Sequence, residues 1–234
     1  MLSELEQWLS KKQLIFNKCM TTSNEYNSYK PFLFFSISFL LLLTYYSSHF
    51  LLTEEVFYNY YAEQLSIKQL EELLNKQREW AWLGYIILPI TYLIKVTIIA
   101  GCIYTGLFFY KSQQWNFSIL FGMVVKADLI FLLSLVLKVV WFSIHTDYTL
   151  TEFQTFIPFS IINLFDVSTV DKWLLYPLQV LNIFEVLFWF LLALQLRKYI
   201  GSSLNISFQI VLFSYGTGLL LWVVFVTFLS LNAT

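Results

Sequence analysis

The 234-residue chain is 58% apolar and 20% aromatic but only 12% charged, about half the charged fraction of an ordinary soluble domain (roughly 25%). That is too little polar surface to coat a soluble fold of this size, and nothing in a net charge of −1 points to the basic patch that a nucleic-acid partner requires. Two cysteines, Cys19 and Cys102, and two histidines, His49 and His145, fall at unrelated positions with no CxxC or Cys/His spacing, so we expect no disulfide, no metal site and no cofactor.

Residues 1–30 are polar and hold Lys11, Lys12, Lys18 and Lys30 with Glu4, Glu6 and Glu25. Leu2, Leu5, Leu9 and Leu14 space loosely for one face of a short helix on the membrane surface; a solvated tail is the equal alternative. The first uncharged apolar run, 32–52, follows Pro31. It is too long for the ~7–15-residue core of a cleavable signal and supplies the roughly 20 helical residues that a bilayer crossing needs. Residues 53–80 differ in kind: Glu54, Glu55, Glu63, Glu71, Glu72 and Glu79 alternate with apolar positions. Ser66 and Gln69 have capping-box spacing, and Leu70, Leu73 and Leu74 follow helical spacing. This predicts an amphipathic helical hairpin outside the bilayer, ending at Trp80 and Trp82 at interface depth, with Leu70, Leu73 and Leu74 as a candidate partner-docking face.

Four further spans follow, at about 82–110, 117–143, 173–196 and 206–231, with tight connections at 111–116 and at 197–205 around Gly201. In the longer loop 144–172, residues 153–165 are apolar but too short to span, which predicts an interfacial or re-entrant segment. The fold class is therefore an all-α integral membrane protein: a cytoplasmic N-terminal segment, 1–30, and one membrane domain, 31–234, of about five transmembrane helices. With the N-terminus inside, the inner loops carry seven Lys/Arg and the outer loops four. This bias favours a cytoplasmic N-terminus and an outside C-terminus.

Five charges fall inside the expected spans: Lys95, Lys126, Asp128, Lys138 and Glu185. Each costs at least ~2.5–3.5 kcal/mol at mid-helix unless it meets a partner or water. Lys95, Asp128 and Glu185 lie roughly 16–20 Å from their expected helix starts, with Lys126 nearer the inner face, so these four could share one plane. Lys138 is nearer the outer face and could snorkel. One reading is a relay or substrate site; the other is two structural pairs, Lys95 with Asp128 and Lys126 with Glu185, balanced as buried pairs must be. No GxSxG, HExxH, P-loop or GxGxxG pattern is present. Gly101, Gly106, Gly216 and Gly218 read as close helix packing, and the 24 Phe, 15 Tyr and 8 Trp as lipid-facing or interface-belt side chains.

From the second span onward the layout resembles the Yip1 family of small polytopic membrane proteins. The resemblance covers about 150 residues. It is carried by LPITYLIKVTIIAGCIYTGLFF at 88–109, WNFSILFGMVVKADLIFLLSLVL at 115–137, WLLYPLQVLNIFEVLFWFLLALQL at 173–196 and SFQIVLFSYGTGLLLW at 207–222. Leu181, Asn182, Ile183, Phe184, Glu185 and Val186 match the family's LN-[IL]-F-x-[LIV] start to its fourth span. Low glycine content and the acidic segment 53–80 depart from the family pattern. The resemblance implies a non-enzymatic five-span protein of bacterial type with a cytosolic N-terminus, and no residue-level site transfers. We expect an accessory or scaffold subunit of a larger envelope transport, export or secretion complex in the bacterial inner membrane, with the bilayer and other membrane subunits as partners. The alternative is a small transporter or channel component using Lys95, Lys126, Asp128 and Glu185.

Overall fold

The computed structural model describes residues 29–61, 65–110, 115–145 and 147–232; the N-terminal leucines and Cys19 lie outside them. Regular structure among these residues is helical, apart from one isolated antiparallel bridge between Ser160 and Asn182. Four helical stretches are long and apolar enough to cross a membrane: Lys30–Leu51, Ile67–Tyr110, Phe117–Ile144 and Leu204–Asn232.

The first is α1 (Lys30–Tyr46), with Pro31 in its first turn, where a missing N–H breaks no helical hydrogen bond. It runs into a π-helical turn, Ser47–Leu51. Next, α2 (Glu54–Tyr61) leads to α3 (Ile67–Tyr110), a single helix of 44 residues, roughly 66 Å long. The acidic segment thus forms α2 and the first turns of α3, which continues without a break into the expected second span. Glu54 of α2 pairs with Arg78 of α3. Gln69 reaches back to the Ser66 backbone N–H (3.1 Å) and also accepts the Ser66 hydroxyl (2.8 Å), the return half of a capping box.

Helix α4 (Phe117–Ile144) is the centre of the bundle, packed on α1, α3 and the helix Ile183–Ile200. Asn116 caps it by accepting the Ser118 N–H. The core is formed where α3, α4 and the helices Ile183–Ile200 and Leu204–Val211 meet, with Val96, Ala100, Leu107, Leu120, Val125, Phe188 and Val211 buried at its centre.

The expected fourth span is not one helix. α6 (Lys172–Val180) ends, and α7 (Ile183–Ile200) begins after two non-helical residues. Pro177 has already removed one backbone donor from α6. Asn182 then serves both ends: its Oδ1 accepts the Glu185 N–H (2.9 Å), while its Nδ2 donates to the carbonyls of Gln179 and Val180. The break is closed further by the preceding loop, through Ile161 N–H to Leu181 O and Ile183 N–H to Phe159 O. The expected interfacial segment 153–165 is thus not one element. It comprises the end of α5 (Leu150–Thr155), a turn at Pro158–Phe159 closed by the Ser160 N–H to Ile157 O hydrogen bond, and a 3₁₀ turn at Ile161–Leu164 that packs on α6.

Gly201, at φ +65°, ends α7 in the left-handed conformation that glycine adopts without Cβ strain. α8 (Leu204–Val211), a π turn (Leu212–Gly216) and α9 (Thr217–Asn232) form the last rod. Three glycines permit close contact. A Cβ at Gly106 would stand 2.5 Å from Ser214 Cβ, one at Gly216 3.0 Å from the Trp189 ring, and one at Gly218 2.9 Å from Cys102 Sγ. Gly101 differs from expectation, since a Cβ there would meet open space.

Candidate functional site

The expected four-charge plane resolves into two separate arrangements. In the first, α3 and α4 face each other so that Lys95 Nζ donates to Asp128 Oδ1 at 2.6 Å. Asp128 is buried, whereas 45% of the Lys95 side chain is exposed. The ammonium also lies 4.4 Å from the centroid of Phe131, a cation–π contact that strengthens in a water-poor setting. This pair forms as expected.

The second expected pair, Lys126 with Glu185, does not form. Glu185 Oε1 accepts the Trp189 indole N–H (2.8 Å) and the Tyr215 hydroxyl (2.7 Å). Lys126 Nζ lies 5.5 Å over the Phe32 ring at the start of α1. The physical reason is the helix break. Glu185 stands in the first turn of α7 rather than at the middle of a continuous helix, where the positive end of the helix dipole favours a carboxylate. Trp189 sits one turn further along the same face, and the π turn carries Tyr215 against it. Phe188 packs its ring on both Tyr215 and Phe131, so an aromatic bridge joins the two polar centres.

Lys138, the fifth charge, places Nζ 4.8 Å over the ring of Phe153. α5 thereby covers the C-terminal part of α4, with Phe142 in contact with Tyr148, Phe153 and Phe156. The Tyr148 hydroxyl donates to the Leu51 carbonyl at the end of the π turn after α1 (2.6 Å). Burial pushes this phenol above its ordinary pKa.

The expected docking face is a correction. Leu70 and Leu74 are 2% and 7% exposed and Leu73 is half-buried. They are packed within this chain and unavailable to a partner. The exposed side of the segment carries Lys68, Glu71, Glu72, Lys76 and Glu79.

Beside the Lys95–Asp128 pair lies a cleft of about 360 Å³, lined by Leu88, Thr91, Tyr92 and Lys95 of α3, by Asp128, Phe131, Leu132 and Leu135 of α4, and by Leu40 of α1. The Tyr92 hydroxyl is buried beside Ser36 and Asp128. Ser36 donates to the Phe32 carbonyl.

Trp189, Tyr215 and Tyr92 were not singled out by sequence, and Asn182 only as part of the 181–186 motif. Two of them left a trace, because Trp189 follows Glu185 by one helical turn and Asn182 precedes Glu185 by the three residues of a cap. Tyr215 and Tyr92 reach their places only through packing between distant helices. No family model, no curated protein and no solved structure matches this chain.

Proposed function

We propose that this chain crosses the bilayer five times, with α6 and α7 together as a broken fourth crossing, a cytoplasmic N-terminus and an outside C-terminus. It serves as a non-catalytic scaffold or accessory subunit of a larger bacterial envelope transport, export or secretion complex. The observation that carries this reading is that both carboxylates inside the apolar helices are engaged within the chain: Asp128 by Lys95, Glu185 by Trp189 and Tyr215. Side chains held this way fix helix register.

Affinity purification in mild detergent, from cells carrying wild type or Lys95→Met with Asp128→Asn, tests the reading. A scaffold with the neutral pair keeps its co-purifying membrane subunits and its cellular phenotype. A second reading, a transporter or channel component, is favoured by the exposure of Lys95 on the cleft. That reading requires the double variant to fold but to lose the phenotype.

A further inference from the structure

We infer that the cleft between α1, α3 and α4 is a binding site for an uncharged lipid that presents a hydrogen-bond acceptor, a carbonyl or hydroxyl oxygen, to Lys95. Three observations converge on this. The first is shape. The cleft extends from the Lys95–Asp128 pair along two turns of α3 (Lys95, Tyr92, Thr91, Leu88) and two turns of α4 (Asp128, Phe131, Leu132, Leu135), with Leu40 as its third wall. It therefore has one polar end and an apolar length, and its volume of about 360 Å³ falls in the range of pockets that hold one small molecule, roughly 300–1,000 Å³.

The second is a surplus of donors. A lysine ammonium has three N–H groups, and Asp128 takes one of them. The 45% of the Lys95 side chain that remains exposed lies within the apolar length of α3, where water is scarce and an unmet donor is costly. The Tyr92 hydroxyl in the same wall is itself fully buried and so offers the cleft no donor. Thr91 adds no free donor, because its hydroxyl is given to the carbonyls of Ile87 and Leu88. The site therefore asks for an acceptor.

The third is charge. Lys95 and Asp128 already neutralise each other. A carboxylate or phosphate brought to this depth would leave a net negative charge in a medium where an isolated ion is strongly disfavoured. An ester carbonyl or an alcohol adds the acceptor without the charge, and its apolar chain lies along Leu88, Leu132 and Leu135. A partner helix is less suited, because an entering helix about 10 Å across needs far more room than this cleft offers.

The test uses full-length protein in phosphatidylcholine vesicles with a clickable, diazirine-bearing hexadecanol, and the matched hydrocarbon and fatty acid as comparisons. Illumination followed by peptide mapping should place the alcohol label on residues of α1, α3 and α4 that line the cleft, with unlabelled dioctanoylglycerol as competitor. Leu135→Trp and, separately, Leu40→Trp fill the cleft without touching the ion pair, and either should reduce cleft labelling at least tenfold. Lys95→Met with Asp128→Asn removes the donor while keeping the bundle neutral, and should abolish the preference for alcohol over hydrocarbon. Equal labelling by hydrocarbon and alcohol, stronger labelling by the fatty acid, or labelling unchanged in folded Leu135→Trp and Leu40→Trp protein would overturn the inference. So would a cross-link from the cleft to another polypeptide. A scaffold without a lipid site would still pass the co-purification test above, so the two readings fail separately.

Discussion

Asp128 can stand inside an apolar bundle because Lys95 meets it at 2.6 Å. Removing one member of such a pair leaves an uncompensated charge, at a cost of ~3–5 kcal/mol. Thermal unfolding in detergent should therefore show Asp128→Asn strongly destabilised, and Lys95→Met added to it should restore most of the loss. Glu185 follows different rules, since its partners are hydrogen-bond donors and not a cation. Tyr215→Phe should cost ~1–3 kcal/mol, and Glu185→Gln, which keeps an accepting oxygen, should cost less than Glu185→Ala. In a double-mutant cycle, Lys126→Met and Glu185→Gln should show a coupling below about 0.5 kcal/mol; strong coupling would restore the pair the structure lacks. Outside the spans, hydrogen bonds from Ser168 Oγ and N–H hold the Asp166 carboxyl below its ordinary pKa. Its support of the Val167–Thr169 turn is therefore present above the ordinary aspartate range and lost as pH falls through the lowered folded value. Amide exchange at Ser168 should accelerate at that point and not near neutrality. The sequence showed which charges lie within the apolar helices, because hydropathy reports position along the chain, although only Asp128 among them is buried. It did not show that Glu185 would meet Trp189 and Tyr215, because partner choice depends on helix rotation and on the π turn at Leu212–Gly216, neither of which has a periodic signature.

Among the elements, the break between α6 and α7 governs the most. Asn182→Ala removes the cap of α7 and the donors that close α6, so its cost should exceed the ~0.5–2 kcal/mol of a lost N-cap alone. Melting temperature measured beside that of Asn182→Asp, which keeps the accepting oxygen, separates the two contributions. The packing of α3 on the last rod makes a second prediction. Gly106→Ala drives a Cβ to within 2.5 Å of Ser214 Cβ and should cost ~1–3 kcal/mol as overpacking, whereas Gly101→Ala, with open space, should not. Ser214→Gly should rescue the Gly106 variant. Four apolar runs were legible as helices with ends within about two residues, except that α3 begins at Ile67 because the amphipathic arm and the span share one helix. The run 173–196 was legible as apolar but not as broken. Pro177 and the Asn182–Glu185 spacing carried the signal, and hydrophobicity, which is continuous across the break, concealed it.

At the scale of the whole molecule, the charge pair and the glycine contacts matter to function only if the rods are transmembrane as proposed. Four helical stretches pass by length and composition, while α7, with 18 residues that include Glu185, Arg197 and Lys198, is not one of them. The number of crossings therefore turns on α6 and α7. The direct test is site-specific labelling of single cysteines in intact cells, on a background lacking Cys19 and Cys102, at Asp147, Ser202 and Asn232. Five crossings predict that Asp147→Cys and Asn232→Cys react with an impermeant maleimide from outside, and that Ser202→Cys reacts only after the membrane is opened. If Asp147→Cys and Ser202→Cys label from the same face, and Asn232→Cys from the opposite one, α6 and α7 do not cross, and the five-crossing account is wrong.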